Sequence, residues 1–312
     1  MSNSFKYPTR FLVFIYSFLA FISTATAQEN AESLFVNNAV YNQDLEEKVL
    51  QAIKTQGGKT ITELQTAVRT LKNEEGFAWK NIKPNPSQIK KADQVFSERK
   101  SAVFIMGKLN KSNADAVPTA DLYATAFGIS DDGICVTNYH VLSELIYLTK
   151  TNDSIAAKTN LGTYFIQSID GEVFVLDKLL AFSSSNDLAV FKVKTAGKPL
   201  PFIPLGPVLK VGEPVYIISH PDHNYYYLSK GIVNKNSLML NPRKPDIRQY
   251  RINVDADYAV GSSGGPILSE TGDLAGIVSS TQSIPWQSEA LNKQQMVLKN
   301  AISVHALDQL LK

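Results

Sequence analysis

Residues 253–280 read NVDADYAVGSSGGPILSETGDLAGIVSS, and within them GSSGGP at 261–266 sets two serines among three glycines. Glycine–serine runs are common in linkers. This one is bracketed by the β-prone segments GGPILS and LAGIVSS, so it is either a flexible turn between strands or a reaction centre held by them. A serine hydroxyl is a weak nucleophile at neutral pH. It needs an imidazole to take its proton, a carboxylate to fix the imidazole tautomer, and N–H donors for the oxyanion.

The chain has four histidines, which makes the search for partners short. His140 closes the apolar run GICVTNYHVL, where a strand gives way to a turn. Asp187 stands in SSSNDLAVFKV, immediately before an apolar strand. Ser263 follows, so the order is His140, Asp187, Ser263.

These three segments resemble the active-site blocks of chymotrypsin-like serine peptidases, which share that order. More narrowly, VTNYHVL, NDLAVFKV, VGEPVYIISHP and DADYAVGSSGGPI resemble bacterial HtrA-type and related exported trypsin-like peptidases. The resemblance spans about residues 98–312. It implies an all-β fold of two six-stranded antiparallel β-barrels, with a short N-terminal helical extension and a C-terminal helix. The first barrel is expected at about 98–195, the second at about 212–300 and the helix at about 304–312, within a protease domain at 95–312. The crossover falls in the Pro-rich AGKPLPFIPLGPVLK at 196–210.

The resemblance also implies roles. Ser263 is the expected nucleophile, His140 the general base and then acid, Asp187 the residue that orients His140, and the N–H groups of Gly261 and Ser263 the oxyanion hole. Polypeptides are the implied substrates, and no cofactor or metal is required. The expected specificity pocket comprises Asp257, Ser279, Ser280 and Thr281. An ungapped count puts Asp257 six residues before the nucleophile, where an acid favours Arg or Lys before the scissile bond. Alternatively, Asp255 and Asp257 bond locally in their loop, and Thr281 narrows the pocket mouth towards smaller side chains.

The chain departs from the family in three places. Digestive relatives carry an aspartate before the nucleophile that pairs with a newly cleaved N-terminus, whereas here Ser262 has no charge to offer. HtrA-type proteins usually carry a PDZ domain after the protease domain, and none is expected here. The glycine-rich stretch before the histidine block reads Ala124-Thr125-Ala126-Phe127-Gly128. Two rival functions stay open: a quality-control protease with holdase activity, and a non-catalytic binding module on a protease fold.

Working outward, eleven short β-prone runs from SAVFIMGKL to LAGIVSS are separated by Asp-Gly, Gly and Pro signals, a spacing typical of sandwiches or barrels. Residues 28–94 read as a helical extension and linker. DLEEKVLQAIKTQ puts Leu45, Val49, Ala52 and Ile53 on one face and stops at Gly57. Thr60-Ile61-Thr62-Glu63 predicts a capping box opening a second helix, with Leu64, Ala67, Val68 and Leu71 on its apolar face, and 83–87 reads as linker.

Residues 1–27 read as a cleavable signal peptide: Lys6 and Arg10, a 13-residue apolar run, then Ala25-Thr26-Ala27. The mature chain is expected to be exported, periplasmic or secreted, with no stable membrane anchor. Removing the leader lowers Lys+Arg from 31 to 29, equal to the 29 Asp+Glu, so wide nucleic-acid binding has no electrostatic basis. Cys135 is the single cysteine and reads as a small buried side chain. His220-Pro221-Asp222-His223 reads as a loop rather than a metal site, and Arg243, Lys244, Arg248 and Arg251 as a solvated hairpin.

Overall fold

The computed structural model describes residues 35–79, 88–147, 160–241, 244–286 and 294–312. The leader and the linker at 83–87 lie outside the described residues. Among the described residues, twelve strands form two closed barrels of six, all paired antiparallel. In the first, β1 (Val103–Asn110), β2 (Thr119–Gly128), β3 (Ile134–Thr137), β4 (Thr163–Gln167), β5 (Val173–Ser183) and β6 (Leu188–Val193) run in the order β1-β2-β3-β6-β5-β4, and β4 returns to β1. In the second, β7 (Pro214–Ser219), β8 (Tyr227–Asn241), β9 (Lys244–Val254), β10 (Pro266–Leu268), β11 (Leu274–Pro285) and β12 (Gln294–Ser303) run β10-β11-β12-β9-β8-β7, and β10 closes on β7. Closure leaves no free sheet edge around either barrel.

The strand β12 is absent from the eleven apolar runs. Only its last residues, Ala301 to Ser303, are buried, and the rest is exposed or half-buried. Its place is set by pairing with β11 and β9 on either side, not by its own pattern. An expectation built on apolar alternation misses such a strand because packing on one short stretch is enough to fix it.

The N-terminal helices are α1 (Ala39–Asn42), α2 (Leu45–Gln56) and α3 (Ile61–Val68). Gly57 stops α2 at φ +70°, with its N–H on the Ile53 carbonyl at 3.1 Å, the left-handed terminus that glycine adopts without a Cβ clash. The capping box forms: Thr60 Oγ1 accepts the Glu63 N–H at 3.2 Å and Glu63 accepts the Thr60 N–H at 2.7 Å. Leu64 and Val68 are buried, as is Ile61, but Ala67 is exposed. A further helix, α4 (Ala92–Arg99), precedes the first strand.

Alternate residues of β1 enter two different cores. Val103, Ile105 and Leu109 pack with Leu45, Val49 and Ala52 of α2, and Phe104 and Met106 pack with Ile61, Leu64 and Val68 of α3. Both faces of the strand are therefore dry, which accounts for the continuous apolar run VFIM where a half-solvated strand would alternate. Each fully buried aliphatic side chain contributes about 2 kcal/mol, so the extension is part of the fold's core.

Two features tie the halves together. Between β6 and β7, Leu200 and Ile203 donate to Asp131 and Gly128 of the first barrel at 2.8 and 2.9 Å, while Pro204 accepts from Leu274 of the second at 2.8 Å. At the other end, α6 (Val304–Leu310) is preceded by the short α5 (Ser143–Tyr147) in chain order. The Leu310 carbonyl accepts the Phe77 N–H at 3.2 Å, joining the last helix to the segment that follows α3.

Candidate active site

His140 opens a 3-10 turn directly after β3, and Asp187 sits one residue before β6. Because β3 and β6 are neighbours, with Thr137 opposite Ala189, the two side chains emerge at the same end of the barrel. His140 Nδ1 lies 3.0 Å from both Asp187 oxygens, and the His140 backbone N–H donates to Oδ1 at 3.0 Å. The Asp187 carbonyl accepts from Tyr139 N–H at 3.1 Å and Asn138 Nδ2 at 3.0 Å. Asp187 adopts φ +57°, a left-handed conformation uncommon outside glycine, Asn and Asp. Such a conformation persists where surrounding bonds over-determine it.

Burial alone would raise the Asp187 pKa, since a carboxylate loses water there. Hydrogen bonds from His140 and Ser279 and the His140 charge outweigh that, and the carboxyl is held below its ordinary value. The His140 side chain is 50% exposed while that of Asp187 is 20% exposed. The imidazole is thus held at its Nδ1 edge while half of the side chain meets solvent.

Ser279 comes from the second barrel. The register of β11 against β12 shifts between Val278 and Ser280, so Ser279 is the extra residue of a β-bulge. Bulges re-aim side chains, and Ser279 Oγ donates to Asp187 Oδ2 at 2.7 Å. Arg251 acts on the same loop from β9: its guanidinium donates to the carbonyls of Ser185 at 2.8 Å and Asn186 at 3.3 Å. The expectation of a solvated hairpin therefore does not describe Arg251, which buttresses the segment before Asp187. Neither role is visible in sequence, because both depend on which strand lies opposite.

The glycine–serine loop is pinned from both barrels. Gly264 N–H donates to Val278 O at 3.1 Å, next to Ser279, and Val278 N–H donates to Gly265 O at 2.9 Å. From β2, Thr125 donates its N–H to Ser263 O at 2.9 Å and its hydroxyl to Gly261 O at 2.8 Å. Ser263 is thereby held in a loop bonded to β2 of the first barrel and β11 of the second. Ser262, fully buried, accepts from Ser219 Oγ at 3.0 Å and from Ala259 N–H at 3.4 Å, a local structural role with no charge involved.

Gly261 adopts φ +91°, and a Cβ there would overlap the His220 carbonyl oxygen. Its peptide plane is fixed, since Val260 O accepts the Asp222 N–H at 2.7 Å. In a trans peptide N–H and C=O point oppositely, so the Gly261 N–H points away from the 220–222 segment. Among the described residues, neither the Gly261 nor the Ser263 N–H has an acceptor.

The structure places the expected pocket residues on β11 and in the loop before the glycine–serine run. Ser280 and Thr281 are exposed on β11. The Asp257 side chain is 82% exposed and ion-paired with Lys299, whose own side chain is 12% exposed. Asp255 Oδ1 accepts the Ile232 N–H at 2.6 Å and the Asp257 carbonyl accepts from Ser229 at 2.7 Å, the local bonding that was the alternative. Tyr258, buried, donates to the Ser280 carbonyl at 3.0 Å. Cys135 is fully buried, and burial pushes its thiol pKa up. His220 and His223 both turn to a tyrosine cluster, described below. Among the described residues no cluster of metal-ligating side chains occurs.

The two closed six-stranded barrels thus pair His140 with Asp187 at the end of the first and hold the Ser263 loop by bonds from both. A family model described as trypsin-like peptidase domain matches residues 124–277. Among curated relatives, it is 33% identical over 156 residues to "Protease Do-like 5, chloroplastic" of Arabidopsis thaliana, covering 48% of this chain and 45% of that one. It is 29% identical over 193 residues to "Serine endoprotease DegS" of Salmonella typhimurium, covering 60% and 48%. It is 27% identical over 172 residues to "Probable periplasmic serine endoprotease DegP-like" of Rickettsia conorii, covering 54% and 30%. The chain spans less than half the length of these relatives. Its fold is similar to that of "HtrA-type protease AlgW with decapeptide", with a TM-score of 0.50 at 20% identity over 70% of this chain and 66% of that one.

Proposed function

We propose that the chain is an exported serine endopeptidase of HtrA type, cutting polypeptides through an acyl-enzyme on Ser263. The observation that carries this reading is the grip on Asp187: His140 from one side and Ser279 from the other, at 3.0 and 2.7 Å, with the Ser263 loop bonded to the residue beside Ser279.

In this mechanism Ser263 Oγ attacks the scissile carbonyl carbon while its proton passes to His140 Nε2. Asp187 accepts from Nδ1, which fixes the tautomer and stabilises the imidazolium that forms. The carbonyl oxygen, now negative, takes hydrogen bonds from the Gly261 and Ser263 N–H groups. His140 then donates its proton to the leaving amine, and the C–N bond breaks. Water adds to the acyl ester by the same route in reverse and restores Ser263. No cofactor or metal takes part.

The substrate side chain before the scissile bond is uncharged in this reading. Lys299 is ion-paired with Asp257, and the buried Tyr258 is tied to the Ser280 carbonyl. Residues 95–312 constitute the peptidase unit and 28–94 its extension. Export rests on the leader, with cleavage after Ala27, and on the periplasmic relative named above. Among the described residues no helix is long and apolar enough to cross a membrane.

The test is labelling of the purified chain by a fluorophosphonate probe, with Ser263→Ala beside it. Labelling that disappears in the variant is expected. A folded wild-type chain that does not label would overturn the reading.

A further inference from the structure

The segment His220–Tyr226, read from sequence as a plain loop, backs directly onto Gly261. Asp222 holds the Val260 carbonyl at 2.7 Å, and the His220 carbonyl fills the space a side chain at 261 would need. The segment itself is strained: Asp222, His223 and Tyr226 all take positive φ, at 45°, 61° and 59°. Three non-glycine residues in that region within five positions cost on the order of 1 kcal/mol each or more, so the surroundings must impose the shape.

An aromatic cluster imposes it. The buried His220 ring stands edge-on to Tyr226 at 4.8 Å and to Tyr225 at 5.9 Å. Its Nδ1 accepts the Tyr226 N–H at 3.0 Å. The neutral ring therefore carries its proton on Nε2, which is buried without a well-aligned partner beside the Phe104 carbonyl. Tyr226 Oη donates to Val103 O at 3.3 Å, and His223 Nδ1 lies 3.3 Å from Tyr225 Oη.

The remaining member of the cluster comes from the N-terminal extension. Tyr41 of α1 meets Tyr225 at 5.0 Å and Tyr226 at 5.7 Å. It is anchored on its far side by its hydroxyl, which donates to Ile169 O at 3.0 Å. Next to it, Asn42 Nδ2 reaches Tyr225 Oη at 3.5 Å. An unbroken path of contacts thus runs from Tyr41 through Tyr225, Tyr226, His220 and Asp222 to the Val260–Gly261 peptide.

We propose that Tyr41 is a positioning residue for catalysis: it wedges the His220–Tyr226 segment into the one shape that aims the Gly261 N–H into the oxyanion hole. The helical extension is then an activating part of the enzyme rather than an inert scaffold or an inhibitor. Without the wedge, the strained segment relaxes and releases Val260 O. The Val260–Gly261 peptide is then free to turn over, because glycine accepts either orientation. One oxyanion donor is lost, an effect of about 100-fold in kcat in comparable sites. Substrate binding along the strands is left largely intact.

The inference rests on the reading of Ser263 given above, and the experiment separates the two. Fluorophosphonate labelling rates, and kcat and KM on unfolded casein, are measured for the wild type, Tyr41→Ala, Tyr41→Leu, Tyr41→Phe and Val49→Ala, each well below its melting temperature. Val49 is as buried as Tyr41 and lies in the same extension, but it belongs to α2 rather than to the cluster. Tyr41→Ala is expected to lower kcat and the labelling rate about tenfold to 100-fold with KM little changed. Tyr41→Leu should do the same if the alanine variant does not fold. Tyr41→Phe, which keeps the ring, is expected to retain most of the rate. Val49→Ala should lower the melting temperature and leave kcat near wild type. A wild-type rate in Tyr41→Ala or Tyr41→Leu, or an equal loss of kcat in Val49→Ala, overturns the proposal while Ser263 stands. A wild-type chain that never labels overturns both.

Discussion

The Ser279 hydroxyl reaches Asp187 Oδ2 at 2.7 Å across the boundary between the two barrels, and it does so because Ser279 is the unpaired residue of a bulge in β11. A hydrogen bond to a charged group contributes about 1.5 to 3 kcal/mol. Ser279→Ala should therefore lower kcat about tenfold with His140 still in place. Stopped-flow acylation of a chromogenic ester reads the step directly. An unchanged acylation rate would mean that His140 alone holds the carboxylate.

Gly261→Ala is expected to remove nearly all turnover while the chain still folds. At φ +91° an alanine is strained, and its methyl group collides with the His220 carbonyl, so the peptide that carries the oxyanion donor must move. The expected fall in kcat is about 100-fold or more. Circular dichroism melts alongside kinetics check it; an active alanine variant would take Gly261 out of the oxyanion hole.

Asp257→Ser should leave the cleavage profile unchanged. The carboxylate is exposed and already matched by Lys299, so it offers no free negative charge to a substrate cation. A peptide library read by mass spectrometry tests this. Selective loss of cutting after Arg and Lys would instead place Asp257 in the pocket.

Acid should weaken the fold ahead of ordinary carboxylate titration. Burial lowers the His220 pKa from 6.5 to about 3, so between those values the unfolded chain binds a proton that the folded chain refuses. Stability then falls as pH drops through that window, by up to about 1.4 kcal/mol per pH unit. Asp187, whose pKa is lowered, acts in the same direction further down: its stabilisation is complete above the ordinary carboxylate value and is lost as pH falls through the folded one. Melting temperatures across that range should flatten in His220→Asn, which can still accept the Tyr226 N–H. Parallel curves for the two proteins would show that His220 is not the titrating group.

Much of this was legible in the residues, and the rest was not for definite reasons. The pairing of His140 with Asp187 was legible because a serine nucleophile asks for an imidazole and a carboxylate, and few histidines compete. The capping box at Thr60 and the stop at Gly57 are local signals and appear where local rules put them. The bond from Ser279 to Asp187 could not be read because a bulge is a property of pairing, which no single strand encodes. Strand β12 escaped because only its final residues, Ala301 to Ser303, are buried, while Met296, Val297 and Leu298 are exposed or half-buried. Thr125, Arg251 and Tyr41 act across more than 60 positions of sequence each, and nothing in their own neighbourhoods announces it.

The topology also governs when the site can exist. Strand β12 lies between β9 and β11, and β11 carries both the Val278 anchor of the glycine–serine loop and Ser279. A chain still emerging from the ribosome has Ser263 outside the tunnel well before residues 294–303 are free to pair. Until they are, the second barrel stays open and its cleft is not formed. Synthesis order thus acts as a timer: Ser263 is made early, and the strand pairing that fixes its loop is completed last.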